Sequence, residues 1–414
     1  MAGGRNEMKI LFLTVGGSPE PLLTAMQAVR PDHTFFFCSE DQGRTKGSYT
    51  QVEGENGLAA NAGLAPGKYE LIRIREFDDL QCCYKEMVER ICQTRTRYPE
   101  AQFIADYTGG TKSMTAALAM AALDEGCELR LVTGTRTDLT KVLPGTQFAR
   151  AVAVGDLRAR RALQSVVELL NRFDYAGAQR ALNQIATIPV SNDILRRIQK
   201  AIALCRAFDA WDRFDHSTAQ NLLAPYRTEF VDHYLVLEEL VAQTPRDPYL
   251  RIEDLLLNAQ RRAAQERFDD AIARIYRALE WLAQTRLSSE HKIETGNINI
   301  QMVPESLREG YARKTASDGR IQIGLQESWT LLAALKDDLL RQWFDSNRST
   351  LKNFLSVRNG SILAHGSRPI SRDIYDREGS TGLRLCQDVL QLLASGRGQR
   401  RAKQLPQSLP GLNE

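Results

Sequence analysis

Short apolar runs alternate with helix-patterned segments over residues 1 to about 155, and this alternation constrains the fold more than any other feature of the chain. Lys9–Val15, Thr34–Ser39, Tyr69–Ile74, Gln102–Tyr107 and Glu128–Thr133 read as buried strands rich in Ile, Leu, Val and Phe. Between them, Pro19–Val29, Asp78–Tyr98 and Lys112–Glu125 carry helical periodicity. Such alternation predicts an α/β domain with an open parallel sheet and helices on both faces. Ligands of these sheets collect at the C-terminal ends of the strands.

From about Asp156 onward strand signals nearly vanish, which predicts an all-α remainder. A phrase recurs there: Arg172-Phe173-Asp174, Arg213-Phe214-Asp215 and Arg267-Phe268-Asp269. Its spacing is too uneven for a solenoid. Each copy reads as a helix-hairpin corner, with the Asp capping the next helix and the Phe stapling it. His216 is expected on the surface beside such a corner. Thr244-Pro245-Arg246-Asp247-Pro248 reads as a linker, so the expected domains are 1–155, a helical extension 156–245, and 246–414. In the last domain, Asn297–Met302 and Arg320–Leu325 suggest a small hairpin or flap. Helices are expected at Ser328–Phe344, Ser349–His365 and about Leu383–Ala394. The basic run Arg397–Lys403 reads as a solvated, frayed end.

A chain of 414 residues is too long for a single core, and its 25% charged and 43% hydrophobic residues suit a soluble globular protein. The net charge of +3 is small, so any nucleic-acid contact must come from local patches. The cysteines (Cys38, Cys82, Cys83, Cys92, Cys127, Cys205, Cys386) show no C-x-x-C pair, which fits buried thiols in a reducing cytoplasm. No histidine shares a metal-ligand spacing with another His or Cys, so no metal site is expected. No stretch approaches a membrane span.

Two strand–glycine turn–helix junctions mark the ligand end of the sheet. One is Thr14-Val15-Gly16-Gly17-Ser18-Pro19; the other is Asp106-Tyr107-Thr108-Gly109-Gly110-Thr111-Lys112-Ser113-Met114. Both would turn backbone N–H groups and a helix N-terminus toward an anion. A P-loop is ruled out because Asp106 and Thr111 occupy its two glycine positions, and no G-x-G-x-x-G follows the first strand. The two segments resemble the signatures of CARF domains, the CRISPR-associated Rossmann-like sensors. The resemblance implies a homodimer that binds cyclic oligoadenylate across its two-fold axis through Gly16, Gly17, Ser18, Thr108, Gly109, Gly110, Thr111 and Lys112. Some family members also cleave the bound ring; Ser18, Thr111 or Lys112 would then assist.

Near the C-terminus, Ser356-Val357-Arg358-Asn359-Gly360-Ser361-Ile362-Leu363-Ala364-His365-Gly366 sets a permanent cation and a proton-transfer group two helical turns apart. On one helix face they would lie roughly 10 Å apart along the axis, a pair suited to cleaving an RNA phosphodiester without metal. Gly366 is expected as the helix cap, with His365 in the last turn where the macrodipole favours the imidazolium form. The segment resembles the R-x(4–6)-H signature of HEPN ribonucleases, and Ala271–Glu280 resembles the first long helix of CARF–HEPN effectors. What the resemblance implies is an ancillary effector of type III CRISPR defence: a metal-independent single-strand endoribonuclease, activated by cyclic oligoadenylate and without a cofactor. Arg358, Asn359 and His365 from two copies would form one composite site. The 2′-hydroxyl would be the nucleophile, so DNA would not be a substrate. The rival readings are a sensor or ring nuclease with an inactive HEPN domain, and a transcription regulator. Tyr276 and Arg277 read as packing and surface residues.

Overall fold

The computed structural model describes residues 7–134, 146–335, 338–398 and 400–412. The chain divides into two compact units, Met1–Arg160 with Ile188–Ser191, and Arg161–Thr187 with Asn192–Glu414.

The first unit is built on a sheet of β1 (Lys9–Thr14), β2 (His33–Ser39), β3 (Tyr69–Ile74), β4 (Gln102–Asp106), β5 (Glu128–Thr133) and β6 (Phe148–Ala151), ordered β3-β2-β1-β4-β5-β6. The first five strands run parallel, as expected, while β6 pairs antiparallel with β5 from Thr133↔Phe148 to Arg130↔Ala151. Helices α1 (Pro19–Val29), α2 (Leu58–Asn61), α3 (Leu80–Arg97) and α4 (Lys112–Asp124) cover its faces. Alternation along the strands sorts their side chains. Ile10, Phe12, Phe35, Phe37 and Phe103 form a core with α3 and α4, and Leu11, Leu13, Val15 and Phe36 form another with α1 and α2. The order reverses at β1 and β4, so the two glycine loops emerge side by side at the switch point.

Helix α5 (Gly155–Asn171) leads into the helical unit. There α6 (Tyr175–Ile185), α7 (Asn192–Asp212), α8 (His216–Leu223), α9 (Val231–Val241), α10 (Leu250–Ala264) and α11 (Phe268–His291) follow one another closely. Asp174 and Asp215 cap α6 and α8 through the Gly177 and Thr218 amides, as the recurring phrase predicts. The third copy is out of register. At the first two corners the left-handed residue is Phe173 or Phe214; at the third it is Glu266, so Arg267 takes the capping position without a side-chain bond.

The remaining elements are α12 (Glu305–Ala312), α13 (Leu325–Ala334), α14 (Asp338–Asn359), α15 (Arg372–Ile374), which runs on as a π-turn over Tyr375–Gly379, and α16 (Ser380–Leu392). One helix, α14, therefore runs through the break expected between 344 and 349, and it ends at Asn359 rather than His365. Residues 336 and 337 of the expected helix Ser328–Phe344, and residue 399 of the basic run, lie outside the described residues. The expected flap forms no strand over 297–302 or 320–325; it is joined by single bonds, Ile298 N–H to the Ile321 carbonyl (3.0 Å) and Ile323 N–H to the Thr295 carbonyl (3.1 Å).

Two surface expectations are overturned. His216 is buried with its Nε2 in hydrogen-bond contact with Asp254 at 2.9 Å, because its helix turns it toward α10. The basic run is docked rather than frayed: the Arg397 guanidinium is buried against Asp247 (2.8 Å) and Glu253 (3.0 Å). Leu405, Leu409 and Leu412 are buried beyond it, and the Pro406 carbonyl accepts from Tyr175 (2.7 Å). Asp247, within the expected linker, is itself buried. No helix among the described residues is long and apolar enough to cross a membrane.

At about 2 kcal/mol for each buried leucine, truncation after Lys403 should lower the melting temperature of the helical unit by roughly 5–15 °C. An unchanged melt, followed by circular dichroism, would contradict the docking of this segment.

Candidate functional site

The glycine loops of the sheet unit touch backbone to backbone. A Cβ on Gly109 would lie 2.7 Å from the Thr14 carbonyl, and one on Gly16 would lie 2.7 Å from the Gly110 nitrogen. Only glycine permits this approach. The Gly109 carbonyl is held from both sides by hydroxyls, those of Thr14 and Thr115. Gly110 adopts a φ of 101°, a left-handed conformation that side chains resist.

The hydroxyls divide between structure and surface. Thr108 accepts from the Val132 amide (2.8 Å), and Thr111 caps α4 while donating to the Phe77 carbonyl (2.7 Å). Ser113 donates to the Asp78 carbonyl (2.7 Å). Ser18 makes no capping bond and is exposed together with Gly17 and Lys112. The face of this site therefore consists of backbone amides, the Ser18 hydroxyl and the Lys112 ammonium above two helix N-termini, an arrangement that attracts anions.

Asp106 lies beneath these loops at the end of β4. One of its oxygens accepts from the Thr108 amide (3.0 Å); the other is buried and unpartnered among the described residues. Burial raises the carboxyl to about 6, an effect only partly offset by Thr108 and Arg130.

In the helical unit, α14 carries Leu351 and Phe354 into the core, and Arg358 follows Phe354 by one turn on the same face. The Arg358 guanidinium lies 4.0 Å over the ring of Tyr276 on α11, and its Nη1 donates to the Asn359 side chain at 3.0 Å. Its Nε is buried without a partner among the described residues. Tyr276 is thus the platform of the arginine. Sequence reading missed it because an aromatic at helical spacing looks like core.

His365 is not helical. After Gly360 the chain folds into a tight loop closed by bonds from the Ser361 amide to the Arg358 carbonyl (3.0 Å) and from the His365 amide to the Asn359 carbonyl (3.3 Å). The Ile362 amide and Arg368 carbonyl (3.2 Å), and the Arg368 amide and Gly360 carbonyl (3.3 Å), close it further. Gly366 is not a helix cap. Its α-carbon packs on Gly360, where a Cβ would meet the Gly360 oxygen at 1.9 Å. Glycine permits a sharp reversal here that a continued helix would not. The loop brings Asn359 and His365 together through the backbone and leaves His365 exposed beside Ile362 and Leu363, which are 60% and 52% exposed. His365 thus lies beyond the last turn of α14, not in that turn as expected from the sequence.

Among the described residues, no group of three or more His, Cys, Asp or Glu could hold a metal ion. Residues 242–387 match the family model of the Csm6 HEPN domain. Csm6 of Enterococcus italicus, solved bound to cyclic hexa-2′-fluoro-hexa-dAMP, is 14% identical over 95% of this chain and 96% of its own, with a TM-score of 0.60. At that identity the likeness shows a shared fold. Residues 242–387 are thus similar to a Csm6-type HEPN domain, and the chain shares the fold of Csm6. Can2 of Sulfobacillus thermosulfidooxidans, solved with cyclic tetra-adenylate, is 12% identical over 57% of this chain and 68% of its own, and its TM-score of 0.24 is too low to bear on the fold. No curated protein sequence matches the chain. The sheet unit carries the paired glycine loops, and the helices matched by the HEPN model carry the loop from Arg358 to Gly366.

A carboxyl raised from 3.8 to about 6 by burial binds its proton more tightly in the folded state, so it costs stability as pH rises through that window, and in full above about 6. Asp106→Asn should therefore stabilise the CARF unit by on the order of 1–3 kcal/mol at neutral pH, with the gain shrinking toward pH 4. Urea melts across this range would contradict the assignment if the gain grew on acidification.

Proposed function

We propose that this protein is a metal-independent, single-strand endoribonuclease switched on by cyclic oligoadenylate, acting as an ancillary effector of type III CRISPR defence. The observation that carries the proposal is the loop in which Arg358, Asn359 and His365 are gathered by Gly366 packing on Gly360, within a Csm6-type HEPN domain. Two copies of the chain would set these loops against each other, with exposed Ile362 and Leu363 available to the contact.

The roles follow from the geometry. The ring of Tyr276 and the amide of Asn359 hold the Arg358 guanidinium in one orientation, ready for the charge that grows on the non-bridging phosphate oxygens. The RNA 2′-hydroxyl gives its proton to one imidazole of the His365 pair and attacks phosphorus, the bond to the 5′-oxygen breaks, and the leaving oxygen takes a proton from the other imidazole. The products are a 2′,3′-cyclic phosphate and a 5′-hydroxyl. DNA lacks the nucleophile and is not cut.

In the CARF unit, Gly16, Gly17, Gly109 and Gly110 let a ligand approach the backbone. Ser18 and Lys112 reach its phosphates, and Thr108 and Thr111 hold the loops that do so. A ring of repeating nucleotides suits a two-fold interface between two such sheets.

Arg358→Ala and His365→Ala should each lower activator-dependent RNA cleavage by about 10²-fold or more, leave thermal stabilisation by the cyclic activator intact, and leave wild-type cleavage insensitive to EDTA. Wild-type rates in His365→Ala would refute the site, and strict dependence on added Mg²⁺ would refute the chemistry. Gly366→Ala should cost about 10²-fold in cleavage with a melting temperature close to wild type. A fully active variant would show that the loop geometry is unnecessary.

A further inference from the structure

The recurring phrase of the helical unit has a use that helix capping does not explain. Its arginines, Arg172, Arg213 and Arg267, come from three separate corners and line one cavity of about 480 Å³, joined by Arg262 of α10. Four guanidinium groups face three carboxylates (Asp174, Asp209 and Asp212) around this opening, which leaves a local excess of positive charge. The carboxylates in the same lining are already engaged. Asp174 accepts from the Gly177 amide (2.8 Å), Asp209 from Arg213 (3.0 Å), and Asp212 from Arg261 (2.7 Å) as well as Arg262.

The arginines keep capacity to bind. Arg172 is only loosely paired with Glu266 (3.7 Å), and Arg267 pairs with Asp270 (2.7 Å), neither acid being part of the lining. These pairs, like that of Arg213, have half or more of the arginine side chain exposed, so water screens them and they are cheaply exchanged. Arg262 is different: its side chain is nine-tenths buried, and its Nε lacks a partner among the described residues. Burial, with the neighbouring Arg274 and Arg267, lowers its guanidinium to about 10.

We propose that this cavity binds a phosphate group, carried either by the backbone of an RNA strand or by a free nucleotide. Guanidinium forks match phosphate oxygens. The proposal does not depend on the roles assigned to Arg358 and His365.

The test uses the full-length protein with two probes, inorganic pyrophosphate and a 2′-O-methyl hexaribonucleotide that the nuclease chemistry leaves intact. Arg213→Gln/Arg267→Gln, both exposed positions, should weaken binding by about tenfold or more and flatten its salt dependence, with an unchanged melt. Glu266→Gln, which releases Arg172, should tighten binding, a gain that a purely structural role would not produce. His365→Ala should bind pyrophosphate as wild type does. Sensitivity to these substitutions with the hexamer alone identifies an RNA strand as the ligand, and sensitivity with pyrophosphate as well identifies a free phosphate. If neither probe distinguishes these variants from wild type, the proposal is overturned.

Discussion

A buried charge cluster organises the helical unit. Arg261 is fully enclosed, with Nε on Asp212 (2.7 Å) and Nη1 on the Gln404 side chain (2.7 Å), beside the equally enclosed Asp254. Asp254 accepts from Trp211 (3.1 Å) and binds His216 (2.9 Å), while Asn258 donates to Asp212 (2.9 Å) and receives Arg274. Such clusters add little net stability over an apolar core, because desolvation consumes most of the attraction. Their effect is positional. A charge removed from water accepts only the partners that satisfy it, so α7, α8, α10, α11 and the docked C-terminal segment are fixed in one register.

That register reaches the HEPN loop. Helix α11 begins beside the cluster, where Arg274 meets Asn258, and its next turns present Ile275 to the core and Tyr276 to Arg358. Helix α14 is pinned against the same helix through Phe354, over which Gly382 of α16 closes so tightly that a Cβ would lie 2.6 Å from the ring. The arginine therefore inherits its position from two packed helices. The histidine inherits its position from a loop whose closure rests on two glycines.

Much of this was legible in the sequence. The parallel strands and three main helices of the sheet unit follow from apolar runs whose burial on both faces leaves no ambiguity of period. Strand β6 did not show itself, because Phe148-Ala149-Arg150-Ala151 is a short, largely exposed edge with no apolar signature. The docked tail was misread for the opposite reason. Its arginines look solvated one at a time, and only the distant Asp247 and Glu253 reveal that Arg397 is buried. His216 misled in the same way, since its partner Asp254 belongs to another helix hairpin.

The candidate catalytic residues were visible, but their geometry was not. A spacing of two helical turns invited a continuous helix, yet the glycines at 360 and 366 carry information of another kind: each marks a place where two backbone segments meet. Along a helix, Arg358 and His365 would be held by rise and pitch alone. In the loop, the His365 amide is bonded to the residue that orients Arg358, so the cation and the proton carrier are positioned by one shared element, Asn359. A rigid helix can set two side chains in line, but it buries its own backbone and limits what can approach between them. A reversed loop instead leaves His365 on an exposed turn while Arg358 stays stacked on Tyr276, which suits a site completed by a second copy of the same loop. The fixed half of the pair is the permanent charge, which needs orientation. The exposed half is the imidazole, which under the proposed function exchanges protons with substrate.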